Sequence, residues 1–138
     1  MYLCAKYAIA HVQRQGKGCI TFMSSANGLI AEPCLATYCT TKPATIGLTR
    51  SIATDYGKHN IRTNCVSPAC MRTPLVEEWI NSGVDPNLSW EKANRLHVLE
   101  RIAEVEEVAQ WVLFLASDES SIVTGSAMVI DSGLTCFR

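Results

Sequence analysis

Residues 18–25 read Gly18-Cys19-Ile20-Thr21-Phe22-Met23-Ser24-Ser25. The run Cys19 to Met23 is short, apolar or β-branched, and bounded by a glycine on one side and two serines on the other. This is the pattern of a strand buried on both faces. Moving outward, Asn27-Gly28 and Glu32-Pro33 punctuate a loop over 24–35. A long helical pattern then runs over 36–56, with Gly57 as its expected C-cap. On the other side, Leu3, Tyr7, Ile9, Ala10 and Val12 fit a helix over 3–13 that starts without a capping residue and stops near Gly16 and Gly18.

The stretch Ile61-Arg62-Thr63-Asn64-Cys65-Val66-Ser67 reads as a second strand, closed by Pro68. Residues 69–102 are irregular, punctuated by Thr73-Pro74, Gly83, Asp85-Pro86 and Ser89, with short helical pieces near 75–80 and 90–96. A connection that long is usually functional. Val105, Val108, Ala109, Val112, Leu113 and Leu115 form an apolar stripe at helical spacing, and Glu104, Glu106 and Glu107 suit its first turn as a solvated, dipole-matched start rather than a carboxylate dyad. Ala127-Met128-Val129-Ile130 is a third strand, entered through Thr124-Gly125 and left through Asp131-Ser132-Gly133. Helices alternating with strands imply an α/β fold, a partial Rossmann-like, doubly wound parallel sheet of about three strands with helices on both faces. Three strands leave an edge open, which points to a missing piece of sheet or a partner.

The chain has 138 residues, 48% hydrophobic and 18% charged, with a formal charge of -1. That is the size and make-up of one globular domain and points to no nucleic-acid partner. With no apolar run of about 18 residues and no basic start, neither a membrane span nor a secretory signal is expected, so the chain reads as cytoplasmic. Seven cysteines form no Cys-x-x-Cys pair, and their odd number leaves one over in any disulfide scheme. They read as buried thiols. His11, His59 and His97 stand at no ligand spacing from a cysteine, so no metal site is expected.

Tyr38 and Lys42 stand four apart on the long helix and so share a face, and Ser25 stands at the C-terminal end of the first strand, where open α/β sheets bind ligands. A phenol is a poor acid–base catalyst near neutrality, but a neighbouring ammonium favours the phenolate. Ser25 is then placed to hold a substrate oxygen while Tyr38 exchanges its proton during hydride transfer, a step that needs a cofactor. Taken alone, Tyr-x-x-x-Lys is more often a solvated surface pair.

The assembly carries more than the pair. Ser25 precedes Tyr38 by thirteen residues, Asn27-Gly28 lies between them, Asn64-Cys65-Val66-Ser67-Pro68 follows a strand, and Thr124-Gly125 lies near the tail. In this the sequence resembles the short-chain dehydrogenase/reductase family over essentially its whole length. The resemblance implies an NAD- or NADP-dependent oxidoreductase acting between a small alcohol and a ketone or aldehyde, and a single partial catalytic domain over 1–138 with a substrate-lid-like segment at 69–102. By the same resemblance Ser25 orients the substrate oxygen, Tyr38 is the general acid/base, and Lys42 also bonds the nicotinamide ribose. Pro68, Ala69, Met71 and Thr73 meet the nicotinamide, Tyr38 and Lys42 count among the cofactor contacts, and the long helix and last strand take part in a homo-oligomer.

The departures are equally specific. The family's glycine-rich Thr-Gly-x-x-x-Gly-x-Gly loop, its residue selecting NAD or NADP, its Asn-Asn-Ala-Gly strand and its tetrad asparagine have no counterpart, so the N-terminal dinucleotide-binding half is expected to be absent and Met1 to be an internal methionine. Pro43, directly after Lys42, loses an N–H bond and crowds the carbonyl of Cys39, a cost of about 3 kcal/mol inside a helix. In a second turn it would bear on the Tyr38–Lys42 spacing. Ala69 stands for a usual glycine, where a Cβ crowds the loop or forbids positive φ, and Asp131-Ser132-Gly133 stands for Asp-Gly-Gly. A second expectation is therefore an inactive remnant acting as an interaction module. A third, a thiol-based redox protein, is permitted by the cysteine count and unsupported by spacing. Trp79 and Trp90 fall in the lid-like segment and are candidates for a substrate wall, Trp111 reads as core packing, and Cys70 reads as an incidental thiol.

Overall fold

The computed structural model describes residues 1–83 and 89–137. The expected Asp85-Pro86 turn lies outside the described residues. The chain runs α1 (Tyr2–Arg14), β1 (Gly18–Met23), α2 (Ala36–Tyr56), β2 (Ile61–Pro68), β3 (Met71–Arg72), α3 (Pro74–Asn81), α4 (Trp90–Arg95), β4 (Ala103–Glu104), α5 (Val105–Ala116) and β5 (Ala127–Ile130). The main sheet has the order β1-β2-β5 with both pairs parallel, Gly18 to Met23 against Ile61 to Val66 and Cys65 to Pro68 against Ala127 to Ile130.

Parallel pairing forces crossovers, and these put helices on the two faces. Successive residues of β2 serve opposite sides. Cys65 joins Ala5, Ile9, Phe22, Ile46 and Ile52 under α1 and α2, while Val66 joins Val108 and Leu115 under α5. The polar residues of β2 are spent on connections. The Arg62 guanidinium donates to the carbonyls of Leu115 and Ser117 at 3.0 and 2.9 Å, closing the C-terminal end of α5. The Asn64 amide donates to the carbonyl of Val123 at 2.9 Å and accepts from the Ser126 N–H at 3.1 Å, setting the entry to β5.

Several expectations are corrected by this packing. Gly57 caps α2 as expected, in right-handed geometry, and the left-handed residue is Asn60, with φ 63° after one further 3-10 turn. Of the expected α1 stripe only Ile9 is buried, because the sheet ends at β1 and leaves Leu3 and Tyr7 facing outward. For the same reason Val105 and Leu113 of α5 are exposed and join Met23, Met71 and Val112 along an apolar groove beside the open β1 edge. Trp111 lies outside the core, half-exposed with its ring edge-on to Phe114. All seven cysteines are free thiols, and Cys65 is the one that is buried.

Residues 69–104 are tied at their base by a parallel ladder too short to be read from sequence, Met71 against Ala103 and Arg72 against Glu104, with an Arg72–Glu104 ion pair at 3.1 Å. Ile80, Ala93 and Ile102 form a small core inside the segment, against which Trp90 packs, its ring 4.4 Å from the Arg72 guanidinium. Arg101 grips Glu107 with two bonds of 2.7 Å, and the Glu107 carboxylate also accepts the Glu104 N–H. These bonds hold the Glu107 carboxyl down to about 2. At the tail, Ser132 takes a positive φ of 50° and Gly133 one of 84°, and a Cβ on Gly133 would sit 2.7 Å from Val98 Cβ.

Helix α2 runs unbroken through Pro43. Replacing Pro43 with alanine restores the missing N–H donor to Cys39, and thermal unfolding is expected to show a gain on the order of 1–3 kcal/mol, reduced from the full helix penalty by the looser unfolded chain. The depressed Glu107 carboxyl contributes stability above its ordinary value near 4.5, and that contribution fades as pH falls toward 2. Glu107→Gln is expected to lower the melting temperature at neutral pH and to remove that part of the acid dependence, as read by melting curves across pH.

Candidate active site

Ser25 follows β1 with extended backbone, and its Oγ accepts the Asn27 N–H at 3.2 Å, capping the 3-10 turn Ala26–Gly28. Its own hydroxyl proton is left for another acceptor. Ser24 points the other way, donating to the carbonyl of Lys42 at 2.9 Å, while the Lys42 ammonium donates back to the carbonyl of Met23 at 3.2 Å. These two bonds lash the strand end to the second turn of α2. The same turn brings the Lys42 Nζ 5.2 Å from the centre of the Tyr38 ring, so Pro43 leaves the pair on one face. Gly28 fits beneath this junction because it has no side chain. A Cβ there would lie 2.9 Å from Ser24 Oγ, 3.0 Å from Ile46 Cδ1 and 3.4 Å from the Lys42 carbonyl carbon.

A cavity of about 440 Å³ opens at this end of the sheet. Ser25, Tyr38, Ala69, Met71 and Thr73 all line it. Two of the residues singled out from sequence do not: Lys42 stands behind Tyr38, and Pro68 is buried at the end of β2, paired with Ile130. Ser25 is 7% exposed and Tyr38 43%. Thr73 caps α3, its Oγ1 accepting the Val76 N–H at 3.3 Å, which leaves its proton unused in that bond. Ala69 takes no positive φ, and its N–H donates to the carbonyl of Ile130 at 3.2 Å, so its Cβ is accommodated without strain.

Sequence reasoning did not single out Glu32, His97, Leu75 or Val76 as part of this wall. Glu32 carries a weak signal, an acid just before a proline in the serine loop. Its Oε2 accepts the Asn27 Nδ2–H at 2.8 Å. His97 is buried, with Nδ1 2.9 Å from the carbonyl of Ala93, a contact that follows from the end of α4 and has no local sequence signature. Of the tryptophans, Trp79 lines the cavity and Trp90 does not. Cys70 also lines it, but burial and the Glu32 carboxylate push its thiol upward, away from the reactive thiolate. Among the described residues there is no group of three or more His, Cys, Asp or Glu side chains placed to hold a metal, and no helix long and apolar enough to cross a membrane.

A nicotinamide ring fits the donor set at this end. Tyr38, Thr73 and the 69–71 backbone border one cavity, and the exposed Lys42 ammonium spends one bond on Met23. For the pyrophosphate end of a dinucleotide, the chain offers no glycine-rich strand-to-helix turn.

Comparison with known proteins follows the same outline. The family model described as enoyl-(acyl carrier protein) reductase matches residues 1–135. The chain is 40% identical over 137 residues to the 2,5-dichloro-2,5-cyclohexadiene-1,4-diol dehydrogenase of Sphingobium indicum, covering 97% of this chain and 53% of that one. It is 43% identical over 120 residues to a short-chain dehydrogenase of Penicillium roqueforti, covering 87% and 42% respectively. Among solved structures it is similar to ElxO with NADP bound, with a TM-score of 0.90 and 32% identity over 98% of this chain and 53% of the other. The chain thus spans about half the length of the curated relatives it matches.

Substituting Gly28 with alanine is expected to wedge the serine loop from α2 and lower the melting temperature by about 3–8 °C, the shift that roughly 1–2 kcal/mol produces in a domain of this size. Differential scanning calorimetry reads this directly, and an unchanged transition would show that the junction yields without cost.

Proposed function

This chain belongs to the short-chain dehydrogenase/reductase family, and from that premise we propose that it carries the catalytic residues of an NAD- or NADP-dependent oxidoreductase interconverting an alcohol and a ketone or aldehyde. The observation that supports this reading most is the convergence of Ser25 and Tyr38 on one cavity wall, with the Lys42 ammonium 5.2 Å from the phenol ring.

In this reading the Ser25 hydroxyl, its lone pair occupied by the Asn27 N–H, donates its proton to the substrate oxygen and fixes that oxygen beside Tyr38. Tyr38 gives the proton that completes a new alcohol, or takes it when the alcohol is oxidised. The Lys42 ammonium lies 5.2 Å from the centre of that ring. That ammonium, anchored by Met23, has further hydrogens for a ribose hydroxyl, and the Thr73 proton is available to a carboxamide oxygen. A nicotinamide bound there supplies the hydride transfer that no side chain can perform.

The described part of 69–102 corresponds in this reading to the family's substrate-lid segment, tied at its base by the β3–β4 ladder. Homo-oligomerisation in this reading uses α2 and the last strand, β5; on α2, Ala44 and Leu48 border an open groove.

The test titrates the 138-residue chain with NADH and NADPH by nicotinamide fluorescence and follows alcohol and ketone turnover by the same chain. Tyr38→Phe is expected to cut kcat by about 10²–10⁴ with cofactor affinity little changed, because it removes one proton and leaves the ring. Undiminished kcat in that variant would refute Tyr38 as the acid/base.

A further inference from the structure

The cavity that holds Ser25 and Tyr38 has an uneven lining. On one side α3 presents Leu75, Val76 and Trp79, with Leu75 and Trp79 one turn apart, 76% and 51% exposed respectively. Large apolar side chains left open to water on the inner wall of a cavity call for an apolar body to cover them. The rest of the lining mixes apolar Leu35, Met71 and Leu96 with polar Ser25, Tyr38 and the buried His97 imidazole, and its one carboxylate among the described residues is that of Glu32. Among the described residues no lysine or arginine lines the cavity. Glu32 makes no ion pair among the described residues, and its Oε2 accepts the Asn27 amide N–H at 2.8 Å, from a residue whose backbone N–H is itself capped by Ser25 Oγ. Arg72 pairs with Glu77 and Glu104 and stacks on Trp90, and the Lys42 ammonium, over the Tyr38 ring, donates to the Met23 carbonyl.

An anionic group brought into such a cavity loses water to apolar walls and faces a fixed carboxylate, while the Lys42 ammonium, held on the Met23 carbonyl, stands outside the lining. We propose that this cavity selects an uncharged, largely apolar alcohol or ketone and excludes its carboxylate- or phosphate-bearing counterparts, with Glu32 rejecting the anion and Leu75, Val76 and Trp79 receiving the apolar body. The upward push that Glu32 exerts on the Cys70 thiol across the same cavity is consistent with its field reaching the space a substrate fills. The inference rests on the oxidoreductase reading for the words alcohol and ketone. The selection against negative charge stands on the lining alone.

The experiment is a calorimetric titration of the full chain, without cofactor, using two compounds of matching shape, 4-acetylbenzamide and 4-acetylbenzoate. The amide is expected to bind at least about tenfold more tightly than the carboxylate. Glu32→Gln keeps the acceptor for the Asn27 amide and removes the charge, so it is expected to shrink that preference several-fold while amide affinity holds. Trp79→Ala is expected to weaken both compounds alike and leave their ratio unchanged. Circular dichroism confirms that each variant is folded, and a misfolded Glu32→Gln is replaced by Glu32→Ala with the same expectation. Equal affinities in the parent chain, no binding of either compound, or a preference untouched by removing Glu32 would each overturn the proposal. Discrimination retained by a protein that shows no turnover with any nicotinamide would count against the oxidoreductase reading and leave the selectivity intact.

Discussion

Everything in this chain is registered on β2. It is the central strand, paired in parallel on both edges, with every residue from Ile61 to Pro68 buried except the half-buried Arg62. A strand buried on both faces is normally a run of apolar side chains. This one carries Arg62, Thr63, Asn64 and Ser67, and the first three hold connections in place. Arg62 gathers the last carbonyls of α5, the Thr63 N–H donates to Thr124 and its carbonyl accepts from Gly125, and Asn64 spans Val123 and Ser126. The sheet edge, the end of α5 and the start of β5 therefore share one reference. The cavity sits at the C-terminal end of that strand, where the chain leaves Pro68 for Ala69.

The geometry of the Tyr38–Lys42 couple follows from a second, smaller constraint, the exchange of bonds between residues 23–24 and Lys42. A helix alone sets Tyr38 and Lys42 on one face but does not say where that face points. The Ser24 hydroxyl on the Lys42 carbonyl and the Lys42 ammonium on the Met23 carbonyl aim it at the end of β1. Gly28 leaves the room for this approach, and the ordinary backbone of Ala69 shows that the loop after β2 reaches the cavity without a glycine.

What the sequence made legible was periodic or local. The main strands and helices, α2 to its terminal residue, and the Ser25, Tyr38, Lys42 pattern could be read because each is a few residues at fixed spacing. What escaped depends on pairing between distant segments. The β3–β4 ladder is two residues long and has no period to detect. Trp111 and Leu113 sit in an apolar helix, and whether they are core depends on how far the sheet extends past β1. Glu32 and His97 reach the cavity from different loops, and their neighbourhood exists only in the folded chain. The buried-thiol expectation failed for a similar reason, since cysteine composition does not record which faces lack a covering layer.

The Ser24–Lys42 link also has a meaning in time. It joins a strand end to a helix that precedes β2, yet β1 has no place to sit until β2 has formed and paired beside it. That pairing is a parallel, long-range event, slow because the loop must close before any contact rewards it. Helix α2 can form early on its own local bonds, so Tyr38 and Lys42 become neighbours long before Ser25 joins them. A nascent chain thus brings Tyr38 and Lys42 together as a matter of helix formation and adds Ser25 only as a matter of sheet formation, which makes the complete cavity wall a late marker of the folded state.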